Sequence, residues 1–237
     1  MSSIIGKIHS FQSLGTVDGP GLRCVVFMQG CPLRCACCHN PDTWSFEGGT
    51  EYDTDTLVKK ILRFRNFFGS KGGVTVSGGE PLMQAAFVTE LFTKLKQNGI
   101  HTALDTSGCI FNEDVQQLLK VTDLVLLDHK YPNPADYLTY TKCKQESAEF
   151  FLDRLQKQNI EVWLRRVIIP GLNDSEEAAR QLKAVMKAHP CVTKTELLPF
   201  RKLCLGKYEN MGIPFPLAAT PEPSGAAMEA LQKIIDE

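Results

Sequence analysis

The chain reads as an α/β protein, a partial (β/α)6 TIM-like barrel with a parallel sheet and outer helices. Two observations predict it. Short β-branched, apolar runs alternate six times with longer segments whose apolar residues recur at helical spacing. The residues with distinctive chemistry fall just after the strands, at the rim where such folds collect their reactive groups.

In order, "LRCVVFMQG" (22–30) is a buried strand running into a cysteine cluster, and "DTDTLVKKILRFRNFF" (53–68) is a helix with capping residues at its start. "GVTVSGGE" (73–80) is a strand followed by a glycine turn. "QAAFVTELFTKLKQNG" (84–99) is a helix closed by Gly99, and "HTALDTSG" (101–108) a strand and loop. "NEDVQQLLKV" (112–121) is a helix, "DLVLLDHK" (123–130) a strand, and "AEFFLDRLQKQN" (148–159) a helix. "EVWLRRVIIPG" (161–171), "DSEEAARQLKAVMKAH" (174–189) and "KTELLPF" (194–200) continue as strand, helix and strand, and a helix closes residues 221–237. No Pro/Ser-rich linker or charge block interrupts the series. One domain, 1–237, is therefore expected, with a core at about 16–200. The segment 1–15 and the region 201–237 should pack on that core.

The composition excludes several classes of function. A formal net charge of −1 gives no electrostatic case for nucleic acid or an anionic membrane surface. No run of about 18 apolar residues is present, and the N-terminus lacks the apolar stretch of a signal peptide. A cytoplasmic protein, expected to be monomeric, fits these features.

The stretch "GCPLRCACCHNPDTW" (30–44) holds four of the nine cysteines. Four thiols could hold zinc, form disulfides, or bind an iron–sulfur cluster with one to spare. Structural zinc usually draws on two separated C-x2-C knuckles, and no second pair follows here. A reducing cytosol disfavours disulfides. The spacing Cys31-x3-Cys35-x2-Cys38 suits a loop wrapped around one cubane, binding three irons and leaving the fourth open. Cys37 is then the spare thiol.

Placed after the first strand of a βα series, this spacing resembles the cluster motif of the radical S-adenosylmethionine (SAM) superfamily. Resemblance to that superfamily implies a [4Fe–4S] cluster whose open iron is chelated by the amino and carboxylate groups of SAM. It also implies one-electron cleavage of the sulfonium and hydrogen abstraction by the resulting 5′-deoxyadenosyl radical. The flanks narrow the match. "GKIHSFQSLGTVDGPGLR", "HNPDTW", "GGVTVSGGEPLMQ", "GIHTALDTSG", "VTDLVLLDHK", "VWLRRVIIPG" and "ELLPF" are collinear with the pyruvate formate-lyase activating family over essentially the whole chain. That family installs a glycyl radical on a partner enzyme by removing a hydrogen from a backbone glycine. Many activators of other glycyl radical enzymes carry a cysteine-rich insert after the first motif. Between Trp44 and Gly78 this chain has no cysteine, which favours pyruvate formate-lyase as the partner and a flavodoxin or ferredoxin as the electron donor. Activation of a different glycyl radical enzyme, or chemistry on a small molecule, is the alternative within this class.

The resemblance also implies roles for particular residues. Gly78, Gly79 and Glu80 form the loop that receives the SAM amino group, and glycine permits close approach there. Lys130 and Arg165 suit the SAM carboxylate, with Asp128 and His129 in the same strand-end segment. Arg166 should face the other side of its strand. His39, after the last ligand, would help organise the cluster loop and the SAM pocket. Asp105, Thr106 and Asp128 are the matching positions for a monovalent cation held by oxygen ligands. Two positions depart from the family pattern: Cys37 stands where an aromatic ring usually meets the adenine, and Arg201 stands where histidine is common. Arginine can stack on a base face.

Overall fold

The computed structural model describes residues 4–237. Of the expected N-terminal segment, residues 1–3 lie outside the described residues. Eight strands form one sheet in the order β3-β1-β2-β4-β5-β6-β7-β8. The pairs β2/β4, β4/β5 and β7/β8 are parallel, while β1 runs antiparallel to both β2 and β3. The expected α/β class is the observed one. The six strands read from the sequence are β2 (Arg23–Met28), β4 (Gly73–Gly78), β5 (His101–Thr106), β6 (Leu124–Asp128), β7 (Glu161–Ile168) and β8 (Val192–Pro199). Two more, β1 (Ile5–Gly15) and β3 (Thr50–Asp53), extend one edge. By contact density the described chain divides into two compact units, one of residues 4–32 and 43–126, the other of 33–42 and 127–237.

In the first unit the parallel strands β2, β4 and β5 read as nearly continuous buried runs, as parallel strands covered on both faces do. Cys24, Val25, Val26 and Met28 of β2 are fully buried, as are Val74 and Val76 of β4 and Ala103 and Leu104 of β5. Helices α1 (Thr54–Leu62), α2 (Ala85–Gln97) and α3 (Glu113–Leu119) complete the unit. Asp53 and Asn112 cap α1 and α3 by accepting from the backbone N–H of Thr56 and Val115. Helix α2 buries Phe87, Val88, Leu91, Phe92 and Leu95 on one stripe, each worth about 1.5–3 kcal/mol on full burial. Helix α1 ends at Leu62, short of the expected 68. Its buried stripe stops at Ile61, and a 3-10 turn over Arg65–Phe67 follows.

The second unit holds α4 (Pro134–Thr141), α5 (Gln145–Gln158), α6 (Glu176–Ala188), α7 (Leu205–Asn210) and α8 (Gly225–Asp236) around β7 and β8. Neither α4 nor α7 was expected. Asn133 caps α4 by accepting from Asp136 N–H, and Ser175 and Ser224 do the same for α6 and α8. Arg165 and Glu196 are register partners across β7 and β8, so their ion pair is a cross-strand pair.

Candidate functional site

In the first unit the end of β2 runs through Gly30, at φ +95°, into Cys31. Gly30 N–H donates to Thr43 O (2.8 Å), and Cys31 N–H to Trp44 O (3.3 Å). The glycine turn after β4 clamps the same backbone from the other side. Gly79 N–H donates to Met28 O and Glu80 N–H to Gly30 O, both at 2.9 Å. Gly78 sits at φ +102°, and a Cβ there would stand 2.4 Å from Met28 N. A Cβ on Gly79 would stand 2.3 Å from Gly30 O. Both glycines are therefore demanded by the chain's own backbone.

Glu80 turns inward and is 2% exposed. Its carboxylate accepts from Thr106 Oγ1 (2.5 Å), Ser107 Oγ (2.5 Å), Ser107 N–H (3.0 Å) and Leu82 N–H (3.2 Å). That satisfies a buried charge and ties the loop after β4 to the end of β5. Thr106 Oγ1 also accepts from Gly108 N–H. Asp105, half-buried, accepts from Ser77 Oγ at 2.6 Å.

In the second unit the loop carrying Cys35, Cys37 and Cys38 is pinned at several points. Arg34 N–H donates to Thr141 O (2.9 Å) and Ala36 N–H to Tyr140 O (2.8 Å), both at the end of α4. Cys38 N–H donates to Cys35 O, and Tyr208 Oη on α7 donates to Cys38 O at 3.2 Å. Lys207 Nζ bridges Asn40 and Asp42. His39 Nε2 pairs with Arg201 O at 2.8 Å, while the Arg201 guanidinium lies on Glu222 in an exposed ion pair. The cluster loop is thus held to the segment after β8 by the backbone of Arg201.

At the end of β6, Lys130 Nζ donates to Asp128 Oδ2 at 2.5 Å. Burial works against the Lys130 charge, but the Asp128 carboxylate, with Cys35, Tyr137 and Cys37 behind it, holds the ammonium well above its ordinary pKa. Arg165 is almost fully buried, its Nε on Glu196 at 2.8 Å. Burial pushes the Cys37 thiol up to about 11, against the pull of Lys130. Cys37, Asp128, Lys130, Tyr131, Arg165, Val167 and Ile169 line one cavity. His129 is placed differently: it is 3% exposed, and its Nδ1 accepts from Arg166 Nη2 at 2.7 Å. Arg166 also donates to His129 O and Ala178 O, so it faces α6 as strand alternation requires.

The donor set fits an iron–sulfur cluster. All nine cysteines are free thiols, and the four in the loop are half-buried. Among the described residues no three His, Cys, Asp or Glu side chains converge as ligands of one ion. Thiolates on a cubane each bind a different iron and stand further apart. The cavity fits SAM in kind, with cations for a carboxylate beside apolar and aromatic walls. Sequence reasoning missed Tyr131, Lys207 and Tyr208. Asn133-Pro134 did signal the start of α4; nothing in the spacing signalled Tyr208.

Comparison with known proteins bears on this site. A family described as "4Fe-4S single cluster domain" matches residues 17–147. The pyruvate formate-lyase-activating enzyme of Clostridium pasteurianum is 43% identical over 235 residues, covering 99% of this chain and 98% of that protein. The chain belongs to the pyruvate formate-lyase-activating enzyme family. Another member, the pyruvate formate-lyase 1-activating enzyme of Escherichia coli K12, is 41% identical over 99% of this chain and 97% of its own length. Solved structures share the fold of this family member. A domain of a pyruvate-formate lyase-activating enzyme from Bacteroides vulgatus superposes at TM-score 0.57, with 22% identity over 70% of this chain and 93% of that one. A radical SAM methyltransferase from Sphaerobacter thermophilus gives 0.65, with 16% identity over 90% and 63%.

Proposed function

We propose that this chain activates pyruvate formate-lyase by removing one hydrogen atom from a backbone glycine of that enzyme. The observation that carries the reading is the 43% and 41% identity, over 99% of the chain, to two enzymes named for that activity. Cys31, Cys35 and Cys38 would hold a [4Fe–4S] cluster, and the cavity at the end of β6 and β7 would hold SAM. Together, when bound, these groups supply reductive cleavage of the sulfonium and the acceptor for the hydrogen atom.

The protein's own part is placement and shielding. Lys130, kept charged by Asp128, and Arg165, aligned by Glu196, present cations to the SAM carboxylate. Cys37, the spare thiol of the Cys31-x3-Cys35-x2-Cys38 spacing, lines the SAM cavity instead. Gly79 and Glu80 fix the peptide that carries Cys31, and α4 and α7 fix the loop carrying the other ligands. Asp105, Thr106 and Asp128 would supply oxygen ligands to a monovalent cation, while His39 and Arg201 hold the far end of the cluster loop. Among the described residues no helix is long and apolar enough to cross a membrane. The enzyme would work as a cytoplasmic monomer, taking its electron from a flavodoxin or ferredoxin.

Anaerobic reconstitution tests the reading. A brown protein with about four irons per chain, which cleaves SAM to methionine and 5′-deoxyadenosine on reduction, is expected. Cys31→Ala, Cys35→Ala and Cys38→Ala should each lose the cluster, and Cys37→Ala should keep it. A colourless protein with one tetrahedral zinc would contradict the proposal.

A further inference from the structure

The lining of the cavity at the end of β6 and β7 combines two chemistries. Asp128, Lys130 and Arg165 supply charge; Tyr131, Val167 and Ile169 supply an aromatic ring and two branched aliphatic side chains. Val167 and Ile169 are two residues apart on one extended run, so they share a face. Tyr131 is 1% exposed, yet its hydroxyl has no hydrogen-bond partner among the described residues. Buried hydroxyls are ordinarily paired, and a phenol both donates and accepts.

The ring has little freedom to find a partner by moving. It stacks on Tyr140, with centroids 5.2 Å apart and planes 28° apart, and meets Tyr137 edge-on at 6.4 Å and 82°. Tyr140 in turn anchors the cysteine loop through its carbonyl on Ala36 N–H. Tyr131 is thus a fixed aromatic wall carrying one unspent polar group.

SAM carries the same two chemistries: a charged amino-acid end and a flat heteroaromatic base with donors and acceptors on its edge. Resting on the reading that SAM occupies this cavity, we infer that Tyr131 is a binding residue for the adenine of SAM, giving the base a ring face and a hydroxyl partner. Lys130 and Arg165 then serve the carboxylate, and Tyr131 contributes specificity for the nucleoside.

The test is an anaerobic equilibrium titration of the cluster-loaded, oxidised protein, followed through the cluster spectrum so that no turnover is needed. Two probes are used: SAM, and S-methylmethionine, which keeps the amino, carboxylate and sulfonium groups and lacks the nucleoside. Tyr131→Phe should bind SAM about fivefold more weakly. Its affinity for S-methylmethionine and its melting temperature should not fall, since the lost hydroxyl had no partner in the fold. Tyr131→Leu should lose about thirtyfold for SAM alone. Unchanged SAM affinity in Tyr131→Phe overturns the inference. Equal losses for both probes also overturn it, because Tyr131 would then act through the cysteine loop. A wild-type protein that binds neither probe defeats the SAM reading itself, and this inference with it.

Discussion

The α-carbon of Gly79 lies so close to the carbonyl of Gly30 that an added Cβ would stand 2.3 Å from the oxygen. The obstacle is backbone, held by Gly30 N–H on Thr43 O and by Glu80 N–H on Gly30 O. Neither partner can yield without moving the peptide before Cys31. Gly79→Ala should therefore destabilise the protein by about 1–3 kcal/mol and lower the iron retained per chain. Denaturant melts and an iron assay read both; wild-type values in the alanine variant would show that the turn is not what places Cys31.

Glu80 is the second support of that region. Its buried carboxylate accepts two hydroxyls and two backbone amides. Glu80→Gln keeps the size but turns an NH2 toward donors, so a loss of about 2–3 kcal/mol is expected. Urea unfolding measures it. A change below about 0.5 kcal/mol, the usual range for a surface substitution, would mean that the carboxylate does not tie β4 to β5.

Tyr208 holds the cysteine loop through Cys38 O. Tyr208→Phe should cost about 1 kcal/mol, and iron should leave the protein faster under a chelator. Stability loss without faster iron release would place Tyr208 in the general packing of α7 and not in control of the loop.

His129 makes stability depend on pH. Burial first, then the neighbouring Arg166 charge, depress its pKa from 6.5 to about 3. Above pH 6.5 it is neutral in both folded and unfolded chains and contributes no pH dependence. Below that the unfolded chain takes up a proton that the folded one refuses. Stability therefore falls as pH drops from 6.5 toward 3, by up to an amount on the order of 4 kcal/mol. His129→Gln should flatten that part of the pH–stability curve relative to wild type, as read by unfolding at pH 4, 5, 6 and 7. Parallel curves would assign the acid sensitivity to other groups.

The buried runs of β2 and β4 to β7 were legible because strands covered on both faces leave a nearly continuous apolar signature. Strand β1 was not, because only alternate residues at its start are buried, leaving Ile5 and Leu14 exposed among polar neighbours. Helix α4 was hidden by its shortness, although Asn133-Pro134 marked its start. At the site, strand parity alone separated Arg165 from Arg166. The inward turn of Glu80 depends on Thr106 and Ser107, more than 25 residues away, so no local pattern could display it. Tyr131 lies beyond the end of its strand, where alternation no longer says which way a side chain faces.

Formation of a glycyl radical on pyruvate formate-lyase by this chain is tested most directly by electron paramagnetic resonance, on pyruvate formate-lyase incubated anaerobically with the reduced, cluster-loaded protein and SAM. The expected signal is a glycyl radical doublet that requires SAM and disappears with Cys35→Ala. No doublet on pyruvate formate-lyase, with SAM still cleaved and a doublet on a different glycyl radical enzyme, would contradict it.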